Sequence, residues 1–591
     1  GNTAGYLTAV YNDVAGFTTG LSIADGAYTI TDRSNGNWQV STESGYVYTS
    51  GTHTLVGFYS GGILVTSNTA ARLMNPNAVV GTFQNGSTTP VAQRTGITSA
   101  QLIAEPFHIG VNAADVPFVS VSSGDWNVGT TWNKGTVPTC TDVVNIANGH
   151  AVTSTTSGNV ARNVTIATGG TLVVSAGDLT VGCTLNNNTL ANSGTLTVSG
   201  GLLAVNGNIS NTAGSTFNHT GGNIDIDGNN GGSATGSVAS GTPLLLFLSN
   251  NINLAGGTIT IIDPHTATTN TNAVAVKFDT SSATANSRNT SPSHILQFGD
   301  GVSTDAGGNT SGFFIDSWTT TGYLVIGKLV VNGATGTNRF VSSRYNLSVR
   351  GDIDVEANST LNLATPLVLG GNLLVKLTGN YTNTSGTALN YVTDNTGSNL
   401  TFSPVTLPQT ITNNGVMANA VASPTANLFS LEVNNTNAVG VTLNSPISIS
   451  GTLTMTSGII NTTNTNLLTL GTATAAGTLA GTPSATNMVR GPFARTIANA
   501  NANTNYILFP VGKTTYAPVW AAPATTAVSV MKAETFDSNT GTQSAAITNM
   551  TTNRRWELPL VSGSITNINV RLGDAGILAT SIPVQAPSAS G

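Results

Sequence analysis

Apolar and polar residues alternate along this chain in short runs, and Gly, Asn and Asp punctuate the runs. Alternation with a period of two predicts strands half buried on one face. No apolar pattern at i, i+3, i+4, i+7 lasts longer than about two turns, so little helix is expected. The clearest stretch follows Val164-Thr165-Ile166. It reads Gly170-Thr171-Leu172-Val173-Val174, Asp178-Leu179-Thr180-Val181, Gly194-Thr195-Leu196-Thr197-Val198, Gly201-Leu202-Leu203-Ala204-Val205, Ser215-Thr216-Phe217 and Asn223-Ile224-Asp225-Ile226-Asp227. Thr171, Thr195 and Thr216 are spaced by 24 and 21 residues, and Leu179, Leu203 and Ile224 by the same 24 and 21. Two strand positions sharing one spacing make an internal repeat. A repeat of that length with two or three strands predicts a β-solenoid, in which each coil buries its apolar face only against its neighbours.

The pattern continues more loosely to about residue 480, through Lys328-Leu329-Val330-Val331, Gly351-Asp352-Ile353-Asp354-Val355 and Gly451-Thr452-Leu453-Thr454-Met455. Residues 270–317 are less regular and are expected to carry inserted loops. A uniform period of about 22 residues over 120–485 implies roughly 16 coils and a length of about 80 Å. The flanks hold more aromatics and longer strands, which suits β-sandwiches. The expected architecture is all-β: a sandwich over 1–115, a solenoid over 116–485 with a Trp-rich cap at 120–155, and a second sandwich over 486–591. The flanks also resemble each other, since the Arg33…Trp38 stretch parallels Arg554-Arg555-Trp556. Each reads as part of a sandwich. Missing strands would come from a longer parent chain or from neighbouring copies arranged head to tail.

Composition sharpens this picture. Only 7% of the 591 residues are charged, against about 25% in ordinary domains. Hydroxyls and amides must therefore supply the polar surface, as strands and tight turns allow. With 39% hydrophobic residues in regular runs, disorder is a poor reading. The net charge is −6 and no basic run exists, which argues against nucleic acid. No stretch of 18 apolar residues predicts a membrane span. Gly1-Asn2-Thr3-Ala4 is not the charged start of a signal peptide, so the chain reads as a mature product or part of a longer one. The two cysteines, Cys140 and Cys183, have two readings: buried thiols acting as small hydrophobes, or a disulfide clipping the first coils.

Ser123-Gly124-Asp125-Trp126-Asn127-Val128-Gly129-Thr130-Thr131-Trp132, followed by Val137-Pro138…Asp142…Gly149-His150, resembles the opening of solenoid modules of the eight-glycine domain type in large surface proteins of Bacteroidetes-type bacteria. Met488-Val489-Arg490-Gly491-Pro492-Phe493 and Asn553-Arg554-Arg555-Trp556-Glu557 are similar to the sandwich that follows such solenoids. The resemblance implies type IX secretion, an extracellular or cell-surface location, and an adhesive or filament-like role with no fixed ligand.

Candidate chemistry is sparse. His150 and Asp142 suit a hydrogen-bonded turn better than an acid–base pair. The six histidines show no zinc-type spacing. Asp225, Asp227 and Asn229 form a short acidic row, echoed by Asp352, Asp354 and Glu356. Such rows are candidates for holding calcium, although alternating acids also mark an ordinary solvent face. No other cofactor and no catalytic residue is expected. The function read from sequence is non-catalytic and structural or adhesive. The alternative is a β-helix carbohydrate-active enzyme or a glycan-binding module, whose sites need converging acids and sugar-stacking aromatics.

Overall fold

The computed structural model describes residues 5–44, 51–58, 69–84, 91–183, 188–227, 242–263, 274–278, 289–303, 313–317, 323–335, 339–343, 345–363, 374–377, 379–384, 399–418, 425–538 and 554–574. Among these residues it has 56 strands, one α-helix and two 3-10 turns. The largest sheet is parallel and has 23 strands, the signature of a β-solenoid. Contacts divide the chain into two compact units: residues 1–152 with 159–165, and residues 153–158 with 166–591. The division falls within the expected solenoid instead of at residue 115.

In the first unit, the strand Asp32–Glu43 is the centre of an antiparallel sheet. Tyr6–Asn12 and Phe17–Thr18 pair along one side, and Phe107–Val111 and then Arg72–Met74 continue the other. A second antiparallel sheet joins Thr52–Phe58, Val91–Thr98 and Thr82–Gln84. Val40, Leu73, Ala92, Ile97, Phe107 and Ile109 form one buried cluster from both sheets, which is how a sandwich makes its core. The outer strand Tyr6–Asn12 is exposed along nearly its whole length.

The one helix among the described residues, Ser99–Ala104, agrees with the little helix expected. Its start is a capping box: Gln101 N–H donates to Thr98 Oγ1 at 3.3 Å, and Thr98 N–H donates to Gln101 Oε1 at 2.9 Å. Six residues are too few to show an apolar period, but Thr-x-x-Gln was readable.

In the second unit, each early coil has three strands. One coil runs Thr195–Val198, then Leu202–Asn211, a long strand that bends through Gly207 to serve two faces. The next runs Thr216–His219, Asn223–Asp227 and Leu245–Phe247. Thr171 pairs with Thr195 and Thr195 with Thr216, while Leu179 pairs with Leu203 and Leu203 with Ile224. The sequence repeat is therefore the ladder register itself. Leu172, Leu196 and Phe217 stack inward, as do Leu179, Leu203 and Ile224, all essentially fully buried.

The period then lengthens. Thr216 pairs with Asn251, 35 positions on, and Asn253 with Asn289, 36 positions on. Twelve coils span Thr171 to Gly481 among the described residues, fewer than a uniform 22-residue period gives. The extra residues enter at two of the three corners. The corner between the first and second faces keeps three residues: Ser175-Ala176-Gly177, Ser199-Gly200-Gly201, Thr220-Gly221-Gly222 and Ala255-Gly256-Gly257. Gly222 there has φ +72°, and a Cβ on it would lie 2.5 Å from the Gly200 backbone of the coil below. Left-handed backbone disfavours a side chain and the stacked coil leaves no room for one. Gly222→Ala is expected to cost about 3 kcal/mol, from strain plus overpacking. A denaturation midpoint unchanged by this substitution would refute the stacked corner.

Several polar groups inside the coils are paired along the stack. Asn192 Nδ2 donates to Asn211 Oδ1 at 2.9 Å, and Asn211 Nδ2 donates to the Leu246 carbonyl at 3.1 Å, with both asparagines fully buried. Asn383 donates to Asn413 Oδ1 at 2.8 Å, and Asn435 to Gln409 Oε1 at 2.8 Å. These ladders satisfy turn amides that water cannot reach.

The parallel stack runs on past residue 485, the expected boundary. Val489–Arg490 and Val511–Gly512 still belong to the 23-stranded sheet. Phe493–Ile497 pairs parallel with Leu468–Leu470 on one side and antiparallel with Ser529–Phe536 on the other. One strand thus converts the stack into antiparallel structure. A further antiparallel sheet joins Ile507–Phe509, Val519–Thr525 and Ile565–Leu572.

Candidate functional site

The Trp-rich opening is a packed plug. Trp126 is fully buried and Trp132 nearly so, with ring centroids 5.1 Å apart and edge to face. Trp132 Nε1 donates to the Trp126 carbonyl at 2.8 Å, and Phe118 lies against the same ring. Edge-to-face packing of this kind stabilises beyond area burial. His150 and Asp142 do not meet. His150 Nδ1 donates to the Ser120 carbonyl at 2.9 Å, and Ser120 Oγ in turn accepts from Ala147 N–H. Asp142 accepts from Thr139 N–H at 2.8 Å and from its hydroxyl at 2.6 Å. Each holds a separate turn.

Cys140 and Cys183 are both disulfide-bonded, and neither is free. Because they are 43 positions apart, the bond constrains the unfolded chain by about 4 kcal/mol in the loop-entropy account. Reduction, or Cys140→Ser with Cys183→Ser, is expected to lower the unfolding free energy by that order. Urea unfolding with and without reductant checks it, and coincident curves would refute it.

Of the first acidic row, Asp225 and Asp227 lie on the outward side of Asn223–Asp227, and Asn229 lies outside the described residues. Burial pushes the Asp225 carboxyl above its usual value; the Thr260 hydrogen bond opposes this and the charge of Asp300 adds to it. Asp300 itself caps a turn, accepting from Val302 N–H, Ser303 N–H and the Ser303 hydroxyl. In the second row, Lys328 Nζ lies 2.5 Å from Asp354 and 4.0 Å from Asp352. Burial works against the charge on Lys328, but Asp354, Asp352 and Glu356 hold its affinity for the proton above the usual lysine value. A lysine, then, pairs with that row and offsets part of its charge. Among the described residues, no group of three or more His, Cys, Asp and Glu is placed to hold a metal ion.

Two histidines sit where sequence reading assigned none. His219 and His294 are buried in the coil interior with rings 5.1 Å apart and nearly perpendicular. His219 Nε2 donates to the Gly222 carbonyl at 3.3 Å, which leaves Nδ1 to accept from His294 Nε2 at 3.1 Å. Burial drives the pKa of His219 down to about 4, and burial together with His219 drives that of His294 down to about 3. Beside them lies a cavity of about 10 Å³ lined by Phe247, Leu254, Phe278, His294 and Leu296. It has room for about one water and none for a substrate. Alternation did point inward at His219, since it follows the pattern of Val174 and Val198, but the pairing needed coils 75 residues apart.

A buried ion cluster in the first unit also escaped sequence reading. Asp25 accepts two hydrogen bonds from Arg94, at 2.8 and 2.9 Å. Arg72 Nε lies 3.2 Å from the same carboxylate, close enough to attract but not aligned as a hydrogen bond. The Arg72 guanidinium is stacked between the rings of Tyr28 and Phe83 at 4.1 and 3.6 Å. Tyr28 hydroxyl donates to Asp115 at 2.9 Å. No local motif marks residues 25, 72 and 94 as partners.

The fold and these clusters define an all-β protein built on a parallel β-solenoid with antiparallel sheets in each unit. No family of known proteins, no curated protein and no solved structure matches the chain. No helix among the described residues is long and apolar enough to cross a membrane.

Proposed function

We propose that this protein is a non-catalytic, extracellular structural and adhesive component, forming a cell-surface stalk or filament of the kind its opening and closing motifs resemble. The observation that carries the reading is the large parallel sheet of 23 strands, which joins two faces of the coil stack. In such a stack the hydrogen bonds lie along the stacking direction, so tension loads many of them together. The disulfide supports an oxidising, extracytoplasmic location. The polar clusters support the non-catalytic part, because their partners are internal: His219 with His294, Asp354 with Lys328, Asp300 with its own turn. Type IX export follows from the same resemblance, which implies no fixed ligand; a glycan or surface ligand belongs to the adhesive reading. Immunogold microscopy and protease shaving of intact producing cells test the proposal. Label on surface fibres supports it; label only in lysed cells would sink it. Turnover of a polysaccharide by the purified chain would favour a β-helix carbohydrate-active enzyme instead.

A further inference from the structure

We propose that the first solenoid face, from Thr171 to Asn289, is a docking surface for a neutral glycan chain; this rests on the adhesive reading above and names its ligand class. The outward side chains of this face form two ranks in strict register. Thr171, Thr195, Thr216 and Asn251 make one, and Val173, Thr197, Asn218 and Asn253 make the other, so every outward position but Val173 is a hydroxyl or an amide. Neighbours within a rank are about 4.8 Å apart and the ranks about 6.6 Å apart, from the strand spacing and two residues of rise. No outward position on these strands carries a charge, whereas the second face presents Asp178, Asp225 and Asp227. The asymmetry lies within single coils, so it is a property of the face and not of the composition.

Three arguments select the ligand. The face covers about 20 Å by 13 Å, roughly 300 Å², far below the ~800 Å² per partner of a stable protein pair. A second copy or another folded protein is therefore poorly served, while a short length of extended polymer fits. Absence of charge removes the attraction a polyanion needs. Threonine hydroxyls and asparagine amides both donate and accept, as sugar hydroxyls do, so one lattice serves the other in either chain direction. The corner leading to the second face stays at three residues through four coils, so no inserted segment leaves the chain beside that edge. With no aromatic side chain among the outward positions, each contact is weak. Affinity for one oligosaccharide is expected near millimolar, with firm retention only where many chains are presented together.

The test is retention of the full chain on cellulose and on insoluble amylose, with alginate gel as the charged comparison and cellohexaose as the soluble form. Thr197→Lys with Asn218→Glu puts an ion pair across the face, and Thr180→Lys with Ala204→Glu puts one across the second face at paired positions. Circular dichroism and unfolding midpoints establish that each is folded, and Thr195→Arg alone replaces the first pair if it is not. The expected result is retention on at least one neutral glycan, cut at least tenfold by the first-face change and unaltered by the second. Lack of retention on both neutral glycans, retention on alginate alone, equal retention by the first-face variant, or a dimer in sedimentation that this variant abolishes would each overturn it. Surface fibres on cells would stand whichever way this falls, so the two readings fail separately.

Discussion

Acidification from pH 7 to pH 4 is expected to remove several kcal/mol of stability from the second unit through His219 and His294 alone. Both imidazoles are neutral and buried in the folded coil, with pKa values near 4 and 3, while in the unfolded chain they titrate near 6.5. Between those limits the unfolded chain binds more protons than the folded one, so stability falls as pH falls. The loss begins below about pH 6.5 and reaches on the order of 3 kcal/mol for each ring by pH 4, at about 1.4 kcal/mol per pH unit. A proton on His219 Nδ1 would face the N–H of His294 with no acceptor between them. Carboxylates also titrate toward the bottom of this range, so the diagnostic quantity is a difference. Replacing both rings, His219→Leu with His294→Leu, is expected to flatten the slope of unfolding free energy against pH between 6.5 and 4. Parallel slopes for the two proteins would refute the account, whatever the variant's stability at pH 7.

Asp25→Ala is expected to cost the first unit about 3–5 kcal/mol, the usual penalty for leaving buried charge without its partner. Arg94 is almost wholly buried, and Arg72 nearly so. Without the carboxylate, Arg94 keeps the carbonyls of Val80 and Leu73, but only Asp115, beyond Tyr28, is left to offset two guanidiniums. Asp25→Asn restores shape and part of the hydrogen bonding, and is expected to recover only a fraction of the loss. Calorimetry resolves this, because the first unit should melt earlier while the coil transition of the second stays in place. A single unshifted transition for Asp25→Ala would show that the cluster is stabilised chiefly by carbonyls and ring stacking.

The repeat was legible because a solenoid translates sequence period into ladder register with few other variables. Thr171, Thr195 and Thr216 had to be neighbours once their inward companions Leu172, Leu196 and Phe217 were stacked, since a slip of one residue turns every apolar side chain outward. Coil count was less legible. Insertions at the corners add chain without adding a level, so length divided by period overcounts. The boundary at 485 blurred for a related reason. Phe493–Ile497 uses one alternating pattern to pair parallel on one side and antiparallel on the other, and alternation carries no information on strand direction.

What the sequence determined by itself was the class of fold, the inward and outward sides of each strand, and the low-charge hydroxyl–amide skin. These follow from local periodicity and composition, which each residue expresses without reference to distant ones. Tertiary structure alone decided which polar residues meet. His219 with His294, and Asp25 with Arg94 and Arg72, are separated by 47 to 75 positions, and no periodicity links them. Their pairing is set by which corner each insertion occupies and by the cost of leaving a buried polar group unpaired, and that cost is felt only once the surrounding chain has closed over it.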